Sequence, residues 1–316
     1  MHYGAQAEAR VPPPAPRTGK KVAVVGSGPA GLTAAYYLSR VKGHGVTIFE
    51  ELPVAGGMMR TGIPRYRLPR RGLEHDLAIV RNAGVEIRTG ARVHSVEGLK
   101  EKGFDAVFLA LGAHNSWDLG VEGEGLEGVL DCVKFLRDVS LGKKPNPGRR
   151  VAVVGGGNSA MDAARTALRL GAREVVILYR RSRDEMPADQ REIEEALAEG
   201  AKLETLTLPV AIRKSPNGLA MVCKRMRLGA TDEGGRRRPE PIEGSEFELH
   251  FDSVISAIGQ FPAIPPELGV DVQMKSHLIQ AKRFAGDIHP GRVRRRGRRV
   301  RSSLSCRRHC SRAPRG

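Results

Sequence analysis

The chain has 316 residues, 40% of them hydrophobic and 28% charged, with four cysteines and a formal net charge of +17. That length suits two domains with cores of their own, and no apolar run approaches the roughly 20 residues a membrane-crossing helix needs. The charge is unevenly spread: residues 281–316 hold 13 Lys and Arg against one acid, Asp287, while the other 280 residues hold 39 against 34. Basicity is therefore a tail property, and its arginines lack the interleaved aromatics of a nucleic-acid surface, so neither a nucleic-acid nor a membrane partner is expected.

Residues 1–19 are Pro- and Ala-rich without an apolar centre, which predicts a linker rather than a secretory signal. Cys132, Cys223, Cys306 and Cys310 form no Cys-x-x-Cys. Their scatter argues for a reducing, cytoplasmic setting and against disulfides or a metal site.

The apolar run Lys20-Lys21-Val22-Ala23-Val24-Val25 reads as a strand buried on both faces. It leads into Gly26-Ser27-Gly28-Pro29-Ala30-Gly31, a Gly-x-Gly-x-x-Gly turn, and then a helix. In such a turn the first glycine bends the chain, the second lets the backbone approach a pyrophosphate, and the third lets helix and strand pack closely. The helix start adds free N–H groups and partial positive charge. Val46-Thr47-Ile48-Phe49-Glu50 is a second strand, ending in an acid 24 residues after Gly26. A carboxylate there suits the two hydroxyls of a ribose. The competing reading, a glycine-rich turn in an ordinary α/β protein, does not explain this order.

Paired glycines at Gly56 and Gly57 predict a loop passing close to a ligand, or else a surface turn. Residues 71–83 read as a helix with Leu73, Leu77 and Val80 on one face and Gly84 as its C-cap. Residues 85–88 and 104–113 read as strands, the second buried and parallel. The opening pattern then repeats: Arg150-Val151-Ala152-Val153-Val154 precedes Gly155-Gly156-Gly157-Asn158-Ser159-Ala160, a helix over 161–170 and a strand over 174–179. At the position matching Glu50 stands Tyr179, followed by Arg180-Arg181-Ser182-Arg183. Guanidinium groups bind a 2′-phosphate that a carboxylate would repel, so the second unit suits NADP(H) and the first a cofactor with a free ribose. Surface arginines without a ligand are the alternative.

With two such units, the chain resembles the two-dinucleotide-binding-domain flavoproteins, and among them the glutamate synthase small-subunit branch. The resemblance covers about residues 20–280. It is carried by the two glycine turns, Gly56-Gly57-Met58, Gly62-Ile63-Pro64, Tyr179-Arg180-Arg181 with Glu185-Met186-Pro187, and Asp252-Ser253-Val254-Ile255-Ser256-Ala257-Ile258-Gly259-Gln260. The dihydropyrimidine dehydrogenase flavin region and NADPH-linked iron–sulfur oxidoreductases look similar over the same motifs.

The resemblance implies an α/β fold of two Rossmann-like domains. FAD would occupy 20–147 with 252–280, and NADPH an inserted domain over 148–251. Gly26, Gly28 and Gly31, with Pro29 and Ala30 between, would meet the FAD pyrophosphate, and Glu50 its ribose. Gly57 and Met58 would lie toward the flavin, Val93 near the adenine, and Gly112 in a covering turn. Gly155, Gly157 and Asn158 would meet the NADPH pyrophosphate, with Arg180 and Arg181 on its 2′-phosphate. Hydride would pass from NADPH to FAD with no catalytic side chain, and electrons would go on to an iron–sulfur domain or a larger catalytic subunit. Disulfide-reducing relatives carry a cysteine pair beside the flavin, and neither the loop after Glu50 nor the NADPH unit has one.

A bare nucleotide-binding remnant is the other class, because the family expects Thr-Ser-x-Pro-Gly-Val-Phe-Ala-Ala-Gly-Asp after residue 260. Its Asp would bind the ribityl chain. The stretch Asp287-Ile288-His289-Pro290-Gly291-Arg292-Val293-Arg294-Arg295-Arg296-Gly297-Arg298 can be encoded so that reading one base later gives that motif. Residues 281–316 are therefore expected to be a basic, disordered, out-of-frame tail and FAD to be held poorly.

Overall fold

The computed structural model describes residues 12–232, 234–262, 264–270, 274–275 and 278–279. The first parallel sheet is built from β1 (Lys21–Val25), β2 (Gly45–Phe49), β3 (Val85–Arg88) and β4 (Ala106–Leu109), in the order β3-β2-β1-β4. Helices α1 (Pro29–Tyr36), α2 (Met58–Thr61), α3 (Arg70–Asn82) and α4 (Val96–Glu101) lie between these strands. The alternation in β1 sends Val22 and Val24 to one face, against Leu32, Leu73 and Leu77, and Ala23 and Val25 to the other, against Leu99. The expected helix over 71–83 is α3, and Leu73, Leu77 and Val80 are its buried residues.

The strand expected to be buried over 104–113 is β4, which forms the outer edge of this sheet instead. It pairs only with β1 among the described residues, and Phe108 is 42% exposed. Residues 12–18, read as a linker, lie against the turn after α1: Ala15 N–H donates to the Arg40 carbonyl at 3.0 Å and Arg40 Nε to the Pro12 carbonyl at 2.7 Å.

Beyond β5 (Asn115–Ser116), the second parallel sheet begins at β6 (Val129–Asp131), which leads into α5 (Cys132–Ser140). It continues through β7 (Arg150–Val154), α6 (Asn158–Arg169), β8 (Glu174–Tyr179), α7 (Gln190–Ala198) and β9 (Lys202–Thr205). An antiparallel layer follows: β10 (Thr207–Ser215), β11 (Gly218–Thr231), β12 (Arg237–Pro241) and β13 (Phe247–Phe251). Then come β14 (Ser253–Ser256) and β15 (Gln260–Phe261), the latter paired with β5. The parallel order is β6-β14-β7-β8-β9. One face packs on α5, α6 and α7; on the other, Ala152, Val154, Val176 and Leu178 meet Ile212, Leu219, Met221 and Cys223 of the antiparallel layer.

This corrects the expected boundaries. The chain does not leave the second domain at Asp252, because β14 pairs with β7 and β6 in the middle of the second sheet. The Asp252 carboxylate accepts from the Arg149 and Arg150 N–H groups, and Ser253 Oγ donates to the Pro147 carbonyl at 2.6 Å, which locks this strand to the start of β7. β6 and α5, before residue 148, also belong to this sheet and its helical face.

A separate unit begins at Gly269, and in it Met274–Lys275 pairs antiparallel with Leu278–Ile279. The expected out-of-frame tail, 281–316, lies outside the described residues.

Candidate functional site: two glycine turns

The first turn follows β1. Gly26 has φ +106°, its N–H donates to the Phe49 carbonyl at 2.8 Å, and a Cβ here would lie 2.3 Å from the Ala110 carbonyl oxygen. No side chain fits that crossing. A Cβ on Gly31 would lie 2.0 Å from the Gly26 oxygen, so the helix seats directly on the turn. Gly28 differs, since a Cβ built on it meets nothing within 4 Å. It caps α1, with Pro29 at the first helical position and Ala30 exposed beside it. Open space over Gly28 and the unbonded amides of the first turn suit a pyrophosphate.

Gly57, expected toward the flavin, lies over the turn itself, with φ +53° and a Cβ built on it only 2.7 Å from Gly28 Cα. Met58 opens α2 and curls its Cε over Gly62. Glu50 is buried, and both carboxylate oxygens are engaged inside the protein. Oε2 accepts from the Ser27 N–H at 3.0 Å and from Ser27 Oγ, and Oε1 accepts from the Leu52 N–H at 2.9 Å. Ser27 Oγ in turn accepts from the Gly56 N–H at 2.9 Å. A carboxylate has about four acceptor sites, so these bonds leave one for a ribose hydroxyl. Ser27, a variable position of the glycine motif, joins the turn, the acid and the Gly56-Gly57 loop.

Val93 is half-buried against the Ala23, Val25 and Leu99 cluster, and nearby the Ala91 N–H donates to the Glu50 carbonyl at 2.8 Å. Gly112 has φ +71°, with His114 Nε2 3.5 Å from where its Cβ would be. Burial pushes the His114 pKa down, opposed by the Glu50 carboxylate, so the imidazole is neutral at neutral pH.

In the second turn, a Cβ on Gly155 would lie 2.2 Å from the Ala257 carbonyl oxygen, while Gly157 opens onto free space as Gly28 does. Between them Gly156 packs under the Tyr179 ring, 2.5 Å from where its Cβ would be. Asn158 begins α6; its side-chain oxygen accepts from the Asp189 N–H at 2.9 Å, which leaves the side-chain NH2 and the backbone N–H to donate to a ligand.

The arginine pair divides. Arg180 is exposed and has no ion-pair partner among the described residues. Arg181 is 6% exposed and committed to the β11–β12 hairpin: Nε donates to the Arg237 carbonyl at 2.8 Å and Nη2 reaches Asp232 Oδ2 at 3.1 Å. The expectation that both arginines serve a 2′-phosphate is corrected to one free guanidinium. A local motif gives no sign of Asp232, which stands 51 residues from Arg181.

Two cysteines are described, Cys132 in α5 and Cys223 in β11, both buried and free. Burial pushes both thiols up, Cys223 to about 12, so neither ionises at neutral pH. Among the described residues no group of three His, Cys, Asp or Glu could hold a metal, and no helix is long and apolar enough to cross a membrane.

Comparison with known proteins finds relatives among oxidoreductases. The NADPH-Fe(3+) oxidoreductase subunit beta of Geobacter sulfurreducens is 49% identical over 272 residues, covering 82% of this chain and 40% of that protein. The NADP(+)-dependent formate dehydrogenase subunit beta of Moorella thermoacetica is 51% identical over 250 residues, 77% of this chain and 35% of its own length. The glutamate synthase [NADPH] small chain of Halomonas elongata is 36% identical over 277 residues, 83% of this chain and 58% of that one. The chain thus spans about two fifths of the first two relatives. Among solved structures, Mycobacterium tuberculosis FprA in complex with NADPH superposes with a TM-score of 0.67 at 22% identity, over 78% of this chain and 72% of FprA, a likeness of fold. The profile described as pyridine nucleotide-disulphide oxidoreductase matches residues 20–262, and the chain belongs to that family.

Proposed function

We propose that this chain is the flavoprotein part of an electron-transfer oxidoreductase, with FAD on the Gly26–Gly31 turn and NADPH on the Gly155–Asn158 turn. The observation that carries the reading is the pair of glycine turns with opposite chemistry at the following strand end: buried Glu50 in the first, exposed Arg180 in the second. When bound, the reduced nicotinamide gives a hydride, two electrons with one proton, to the flavin, which releases the electrons one at a time.

The protein's share is binding and alignment. Gly28 and Gly157 leave room for phosphates at the starts of α1 and α6. The one free acceptor site of Glu50 takes a ribose hydroxyl, and Arg180 takes the 2′-phosphate. The two described cysteines, buried and neutral, offer no thiol step, and electrons are passed on to a partner. The relatives' names, subunits or chains of oxidoreductases, support a partner subunit in that role; we propose an iron–sulfur domain or a larger catalytic subunit of the cytoplasm.

A second reading, a nucleotide-binding remnant without redox activity, is favoured by one feature: among the described residues β4 pairs only with β1, and Phe108 on it is exposed. Flavin content decides between them. The purified chain titrated with FAD is expected to bind up to one flavin per chain, weakly enough to lose most of it on desalting, as the sequence leads one to expect. Nicotinamide-nucleotide binding with no bound flavin at saturating FAD would favour the remnant.

A further inference from the structure

One short stretch of chain runs from the first glycine turn to the helix that begins at the second. Gly57 rests on Gly28; after α2 and the Gly62-Ile63-Pro64 bend, Tyr66 and Arg67 reach across to α6 and α7. Arg67 Nη1 donates to Asp162 Oδ2 at 2.8 Å, and Nε lies 2.9 Å from Glu192 Oε1. Tyr66 OH donates to the Asp162 carbonyl at 3.3 Å, and Arg165 and Arg169 stack on the Tyr66 ring at 4.5 and 4.2 Å. Arg165 is itself gripped by Glu192, Glu195 and Glu199 at 3.0, 2.7 and 2.7 Å. Asp162 stands one helical turn after Asn158 on α6.

Several of these groups are charged and buried: Asp162 is 4% and Arg165 5% exposed. Taking charges out of water is costly unless the geometry repays it, and an apolar contact would have bound the loop more cheaply. What the ionic contact adds is direction. The planar guanidinium of Arg67 engages two carboxylates on two helices at once, which fixes the angle as well as the distance of approach.

We propose that Arg67 is a positioning residue that holds the second nucleotide unit in register with the first, setting the approach of the two bound cofactors without touching either. The proposal rests on the FAD and NADPH reading above. A small misplacement of reacting groups can slow a reaction on the order of a hundredfold while each ligand still binds, so the effect belongs in the rate of transfer and not in affinity.

The test uses the full chain and its R67A, R67K and D162N variants. Loaded with FAD, R67A is expected to lose at least about tenfold in the limiting rate of flavin reduction at saturating NADPH, with NADP+ affinity and flavin content within about twofold of wild type. R67K is expected to recover only part of the rate, because an ammonium cannot present the same fork to two carboxylates. D162N preserves shape and is expected to fall between wild type and R67A. In the nucleotide-free chain, amides of residues 62–68 are expected to exchange hydrogen faster in R67A than in wild type.

An unchanged limiting rate in R67A overturns the proposal. So does a fall in rate matched by equal losses of affinity and flavin, or a full rescue by R67K. If wild type itself is not reduced by NADPH, the functional reading fails, and the exchange measurement still judges the contact: equal exchange in R67A and wild type removes it.

Discussion

At Glu50 the carboxylate that the sequence assigns to a ribose is already satisfied on both oxygens by Ser27 and Leu52. Removing it leaves buried donors unpaired, so Glu50→Ala is expected to lower the stability of the cofactor-free chain by on the order of 1.5–3 kcal/mol, and Glu50→Gln by less. Coincident melts of wild type and Glu50→Ala would contradict this. Asp162 yields a pH prediction. Burial, with Glu192 adding to it and Arg67 and Arg165 opposing, raises its pKa from 3.8 to about 6. The folded chain then keeps a proton there that the unfolded chain has released, so this group's contribution is most favourable below about pH 4 and is lost as pH climbs to 6. The loss is on the order of 2–3 kcal/mol, and Asp162→Asn lacks it. Denaturant midpoints of both proteins at pH 4 and pH 7 measure the gap, and a gap independent of pH would contradict the raised pKa.

Among the elements, those legible in the sequence are the ones whose cause is local. β1 and β7 are runs of valine and alanine enclosed on both faces, and the turns after them bring backbone so close to Ala110 and Ala257 that glycine is the residue that fits. α3 was legible from three apolar residues on one face. Partners distant in sequence were not. The run over 253–256 reads as a buried strand whichever sheet it joins, and its place beside β7 depends on Asp252 and Ser253 meeting residues about a hundred positions earlier. The burial of Arg181 depends likewise on the β11–β12 hairpin. That division of labour predicts two unlike outcomes. Arg180→Ala is expected to reduce the preference for NADPH over NADH by about 1.5–3 kcal/mol with no change in melting temperature. Arg181→Ala is expected to lower the melting temperature and loosen the hairpin, as Asp232→Asn should more mildly. If Arg180→Ala leaves cofactor preference unchanged, the free guanidinium is not the 2′-phosphate ligand.

For the molecule as a whole, the two parallel sheets each end in a glycine turn, and the segment from Gly57 to Arg67 links one turn to the helix of the other. The family match over residues 20–262 takes in both turns, the hairpin and the Arg67 contact. The central claim, that these turns hold FAD and NADPH in a working pair, is tested most directly by adding NADPH without oxygen to the FAD-loaded chain and following the visible absorption of the flavin. The absorption is expected to bleach, and at lower concentrations of NADPH than of NADH. No bleaching, or an equal response to the two nucleotides, would contradict it.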